Sequence, residues 1–124
     1  MRDDISDMSA ILLDGDYYDF VMSGHKTQED LTLIAEDRLI PLKALAWHNL
    51  TRIQEAGEAV RSGDIRKHLE DVVNLSNLLS PQTRIILAFR ISSDLREFIA
   101  RVNVEEYPDF AKVKGRLVLA YVLE

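Results

Sequence analysis

Apolar positions recur every three to four residues through most of the chain, and that period predicts helices. The pattern is cleanest between Pro41 and Ser80. Leu42, Ala46, Ile53, Ala56 and Val60 share one face of a helix over about 42–61. Ile65, Leu69, Val72, Ser76 and Leu79 share one face of a second helix over about 65–79. Ser62-Gly63-Asp64 supplies a turn between them, with Gly63 suited to a helix end and Asp64 to the next cap. Residues 42–80 therefore read as a helical hairpin. Asn49 falls near the centre of the first apolar face, where it needs a hydrogen-bond partner and could set register. Trp47 falls on the outer face with Thr51, Gln54, Glu55 and Glu58. A large aromatic there requires a second packing partner, either the N-terminal segment or another subunit.

Beyond the hairpin, Ser80-Pro81 is a helix-start signal, a capping serine followed by proline at the first helical position. The predicted helix spans 81–102 and is apolar nearly all round through Ile85-Ile86-Leu87-Ala88-Phe89, which places it at the centre of the core. Ile91, Leu95, Phe98, Ile99 and Val102 continue one face. Arg90, Asp94, Glu97 and Arg101 line the opposite edge as a solvated ion-pair ladder. Pro108-Asp109 restarts a short helix, and the apolar run Leu117 to Leu123 is a last buried helix or a strand, with Gly115 suited to a change of direction.

Upstream of the hairpin, Thr27 and Asp30 form a box-like helix start before Leu31, Leu33, Ile34, Leu39 and Ile40, and Pro41 predicts a break or kink. Residues 1–24 fit two readings. Ile5, Met8, Ile11 and Leu12, then Tyr17, Phe20 and Val21, fit two short helices. Asp14-Gly15 also fits a hairpin joining strands Ser9–Leu13 and Tyr17–Met22. The expected fold is all-α, a single domain over 1–124 with four to six antiparallel helices around the 81–102 helix. The alternative is α+β, with a small sheet made from the two ends of the chain.

At 124 residues, 47% hydrophobic and 29% charged, the chain has the composition of a folded domain rather than a disordered one. It has no cysteine, which removes disulfides and thiolate chemistry and suits a reducing compartment. No apolar run approaches the roughly 20 residues of a membrane helix, and the acidic start lacks a signal-peptide layout, so a cytoplasmic protein is expected. The net charge is −6, and residues 1–62 carry all of the excess, with 12 acids against 6 bases. Nucleic-acid binding by the chain alone is disfavoured, and a partner with a basic surface is the natural complement.

No glycine-rich phosphate loop, His-Glu-x-x-His helix or nucleophile elbow is present, so neither a cofactor nor a metal is expected. Asp14-Gly15-Asp16 with Asp19 lacks the glycine placement and closing glutamate of a calcium loop. His48 is placed where solvent could reach it. The run His48-Asn49-Leu50-Thr51-Arg52-Ile53 loosely resembles the phospho-accepting helix of histidine-kinase dimerisation domains, without their following proline or ATP-binding domain. Thr51-Arg52 stands where stand-alone phosphotransfer domains carry lysine-glycine. That resemblance implies histidine phosphotransfer or dimerisation through His48. Arg61 and His68 are similar in spacing to the pair of helical HEPN ribonucleases, although Gly63 interrupts the helix. The two hairpin histidines lie about 15 Å apart along the helix axis, too far to share a metal or act as a dyad.

The sequence leads to a non-enzymatic protein-protein interaction module: an adaptor, inhibitor, immunity-type protein or small subunit. The expected partner-binding residues are Asp14, Asp16, Tyr17, Tyr18, Asp19 and Trp47, and a homodimer is expected. A second alternative is a helical accessory subunit of a nucleoprotein complex, offering Arg84, Arg90, Arg96 and Lys114.

Overall fold

The computed structural model describes residues 15–23, 25–28, 31–34 and 36–122. It is mostly helical, as the periodicity predicts, with two very small sheets. Helix α1 is Gly15–Ser23, followed by strands β1 (His25–Gln28) and β2 (Leu31–Ile34). Helix α2 is Glu36–Glu55 and α3 is Ser62–Ser76; strand β3 (Ile85–Ile86) precedes α4 (Phe89–Arg101). Helix α5 (Phe110–Ala120) runs directly into strand β4 (Tyr121–Val122). No described helix is long and apolar enough to cross a membrane.

The helical hairpin exists as α2 and α3, which pack extensively on one another. Its turn is elsewhere. Gly57, with φ 92, ends α2, and the Gly57 and Glu58 N–H groups donate to the carbonyls of Gln54 (3.0 Å) and Ile53 (3.2 Å). This is the paired bonding by which a left-handed glycine closes a helix. Gly63 instead lies in the first turn of α3, capped by Arg61 rather than Asp64. Two glycines six residues apart satisfied the same local signal, and the apolar stripe that would have separated them fades here. Ile53 and Ala56, expected inward, are exposed.

Helix α2 begins earlier than expected and passes through Pro41 without ending. Thr27 caps no helix, because it lies in β1, which pairs antiparallel with β2, His25 opposite Ile34 and Gln28 opposite Leu31; Asp30 lies outside the described residues. The threonine and isoleucine content that weakens a helix there suits strands. Tyr17–Met22 lies in a helix rather than a strand. The Ser9–Leu13 half of that question lies outside the described residues.

The helix expected over 81–102 starts only at Phe89. Ser80-Pro81 opens a turn, with Thr83 N–H donating to the Ser80 carbonyl at 3.0 Å and Gln82 N–H to Ser80 Oγ at 3.2 Å. Serine followed by proline starts turns as well as helices. Ile85-Ile86 then pairs in parallel with Tyr121-Val122. The all-round apolar run is thus an extended connector, with Ile86 79% and Phe89 76% exposed. The helix buried on most sides is α2, where Ile40, Leu42, Ala44, Ala46, Trp47 and His48 are all inside. It packs against α1, α3 and α4.

Three rings tie α2, α4 and α5 together. Trp47 meets Phe98 edge-to-face at 5.3 Å, and Phe98 meets Phe110 in the same way at 5.5 Å. Trp47 is only 7% exposed. The second packing partner its position required is Phe98 of the same chain, because α4 covers the face of α2 that α3 leaves open.

Candidate functional site

The polar edge of α4 decides which of the expected site residues are available. Arg90 and Asp94 reach α1, and Glu97 and Arg101 reach α2. Tyr17 donates to Asp94 Oδ2 at 2.7 Å, and Arg90 lies 3.8 Å from Asp16. Glu97 lies 3.7 Å from His48 Nε2, and Arg101 donates to Glu55 at 2.5 Å. A row expected to be a solvated ladder is a seam joining α4 to α1 and α2.

This seam divides the partner-binding set. Tyr17 is 1% exposed and Trp47 is in the core, so neither offers a surface. The alternation along α1 leaves Asp16, Tyr18 and Asp19 exposed, Tyr18 at 51%. Asp14 lies outside the described residues. His48, expected within reach of solvent, is 6% exposed because α4 lies over it, and its Nδ1 has no hydrogen-bond partner among the described residues. His68 is fully buried in α3. Asn49 is half-buried at the edge of the packing rather than central to it.

A cleft among the described residues involves none of these. It has a volume of about 410 Å³ and lies between α3 and the segment leading into α5. One wall comes from α3, whose i, i+4 spacing sets Leu69 beside Val73 and Glu70 beside Asn74. The other wall is Glu106-Tyr107-Pro108-Asp109-Phe110. That segment is held by its own backbone. Asn103 Oδ1 accepts from Glu105 N–H at 2.8 Å, and the Asn103 carbonyl accepts from Tyr107 N–H at 3.0 Å. The Tyr107 carbonyl then accepts from Phe110 N–H at 2.9 Å, with Asp109 at the start of α5. Phe110 is fully buried and anchors the wall through Phe98.

The chemistry of the cleft is one-sided. Leu69, Val73, Tyr107 and Phe110 provide an apolar floor, and Glu70, Glu106 and Asp109 provide carboxylates with no lysine or arginine on the lining. Such a recess suits a cation on a hydrocarbon stem, whose methylenes rest on the floor while the charge meets carboxylates and a tyrosine face. Among the described residues no three histidine, aspartate or glutamate side chains converge to hold a metal ion. Sequence reasoning passed over these residues because Glu106 and Asp109 sit in a C-terminal third whose net charge is near neutral. The acid-aromatic-proline run was visible; its pairing with Glu70 was not.

Fold and cleft together define a small helical domain with an acidic recess. No family model matches the chain, and neither a curated protein nor a solved structure is similar to it.

Proposed function

We propose that this protein is a non-enzymatic interaction module that binds a basic segment of a partner polypeptide, working in the cytoplasm. The observation that carries the reading is the cleft between α3 and α5, in which Glu70, Glu106 and Asp109 border an apolar floor and no lysine or arginine stands on the lining. Asp16, Tyr18 and Asp19 on α1 form a second acidic, aromatic surface that supports it. The net charge of −6 favours approach of a basic partner over long range.

The test is fluorescence anisotropy with a panel of labelled lysine- and arginine-bearing peptides. Three proteins are compared: wild type, a Glu70→Lys/Glu106→Lys variant and an Asp16→Lys/Asp19→Lys variant. Binding that the cleft variant loses by about tenfold or more, while the α1 variant retains most of it, supports the cleft. The reverse pattern moves the interface to α1. Equal affinity for all three proteins, or loss that only tracks net charge, overturns the reading.

A further inference from the structure

A second recess of opposite character lies where α5 ends and the loop after α3 approaches it. It is about 230 Å³ in volume, with Leu79, Leu119 and Ala120 on its apolar side and Arg84 and Arg116 at its edge. Three other arginines have an acidic partner: Arg61 with Asp64, Arg90 with Asp16, Arg101 with Glu55. Arg84 and Arg116 are held differently. Arg84 Nη1 donates to the backbone carbonyls of Thr83 (2.6 Å) and Pro81 (3.1 Å), and Arg116 Nη1 donates to Asn77 Oδ1 at 2.5 Å. All three acceptors are neutral. They orient the guanidinium groups without cancelling their charge, and among the described residues neither group meets a carboxylate. That is unexpected in a chain with 21 acids and 15 bases.

The recess adjoins apolar side chains that are exposed among the described residues. Arg84 leads directly into β3, and Ala120 directly into β4. In the parallel register Ile85 opposes Tyr121 and Ile86 opposes Val122. Tyr121 turns into the core, whereas Ile86 and Val122 are 79% and 39% exposed. Leu119, at the mouth of the recess, is 63% exposed. Two oriented cations therefore stand near exposed apolar residues, Leu119 on the recess lining and the paired Ile86 and Val122, the arrangement that recognises carboxylates on an apolar carrier.

We propose that this groove is a docking site for an acidic, apolar polypeptide segment of a partner protein, its carboxylates pairing with Arg84 and Arg116 and its apolar residues covering Leu119, Ile86 and Val122. A polyanion such as nucleic acid, or an anionic membrane, would meet the repulsion of a net −6 chain along its whole length, with two arginines on the recess lining. A segment with one or two carboxylates meets far less of it and matches the two arginines. The recess lining holds no carboxylate, so an isologous contact centred on it would give its arginines no acidic partner. The site is separate from the acidic cleft and uses none of its residues, so the chain would bridge two partners of opposite charge.

The experiment is selection of displayed random peptides on the intact protein, with counter-selection on an Arg84→Glu/Arg116→Glu variant whose fold is checked by circular dichroism. Enriched sequences are expected to combine Asp or Glu with neighbouring apolar residues. They should bind the double variant about tenfold or more weakly, and an Ile86→Ser variant weakly as well, while binding the Glu70→Lys/Glu106→Lys variant unchanged. Enrichment of basic peptides, equal binding to the arginine variant, or no enrichment would overturn the proposal. So would a concentration-dependent dimer that the arginine substitutions dissolve, since the occupant would then be a second copy.

Discussion

The Tyr121 hydroxyl donates to the backbone carbonyl of Asp37. In an uninterrupted helix that carbonyl would accept from the N–H of residue 41, four positions on, but residue 41 is proline and has none. Helix α2 runs through Pro41 nonetheless, because a side chain 84 residues away supplies the missing donor. The expectation of a break or a kink at Pro41 rested on the lost hydrogen bond, and the break did not follow because Tyr121 replaces the donor.

Tyr121→Phe should therefore cost about 1–3 kcal/mol, the range for leaving a buried acceptor without its donor. The decisive comparison is with Pro41→Ala, which returns an N–H to Asp37. In that background the cost of Tyr121→Phe should fall by about 1 kcal/mol. Urea unfolding of wild type, the two single variants and the double variant measures the coupling. Strict additivity would mean the two residues do not share the carbonyl.

The same tyrosine gives a pH dependence. Burial, and secondly the Asp37 carboxylate, push its ionisation above the ordinary phenol value of 10.0. Below about pH 10 the hydroxyl is protonated in both folded and unfolded chains, and its contribution is complete. Above that, the unfolded state releases a proton that the folded state still holds, so stability falls as pH rises. Urea midpoints between pH 8 and 11 should decline less steeply for Tyr121→Phe than for wild type.

Trp47 is the single tryptophan of the chain and packs edge-to-face on Phe98. Its fluorescence should be blue-shifted in the isolated native protein and move to the red on unfolding. Trp47→Ala should destabilise by about 3–5 kcal/mol, and Trp47→Phe by less. An unchanged unfolding midpoint for Trp47→Ala would place this side chain on a surface after all.

Gly57 and Gly63 make a matched pair. With φ 92, Gly57 holds a conformation that an L side chain resists, and Gly57→Ala should cost about 1–2 kcal/mol. Gly63 is helical and exposed, with open space where a Cβ would go, so Gly63→Ala should stabilise by about 0.5–1 kcal/mol. Thermal melts of the two variants should move in opposite directions. Equal shifts would return the hairpin turn to Gly63.

Where local and tertiary demands agreed, the chain was readable. The stripe Ile65, Leu69, Val72 places α3 because one apolar face packs inward on α2 and α5. The restart at Pro108-Asp109 places α5, whose cap is Asp109. Where one local signal serves two structures, the choice was not readable. Serine-proline opened a turn, Thr27 entered a strand, and an isoleucine-rich run became a connector.

Sequence periodicity by itself determined that this protein is a helical assembly with an α2–α3 hairpin, since a 3.6-residue repeat of apolar positions can be buried in no other regular way. Only the tertiary structure decided what the individual side chains do. It put Trp47 and Tyr17 inside, drew the charges of α4 to other helices, and set Glu70 across a cleft from Glu106 and Asp109. These outcomes depend on which helix covers which face. That is decided by the summed packing of the whole core, and no window of consecutive residues contains it.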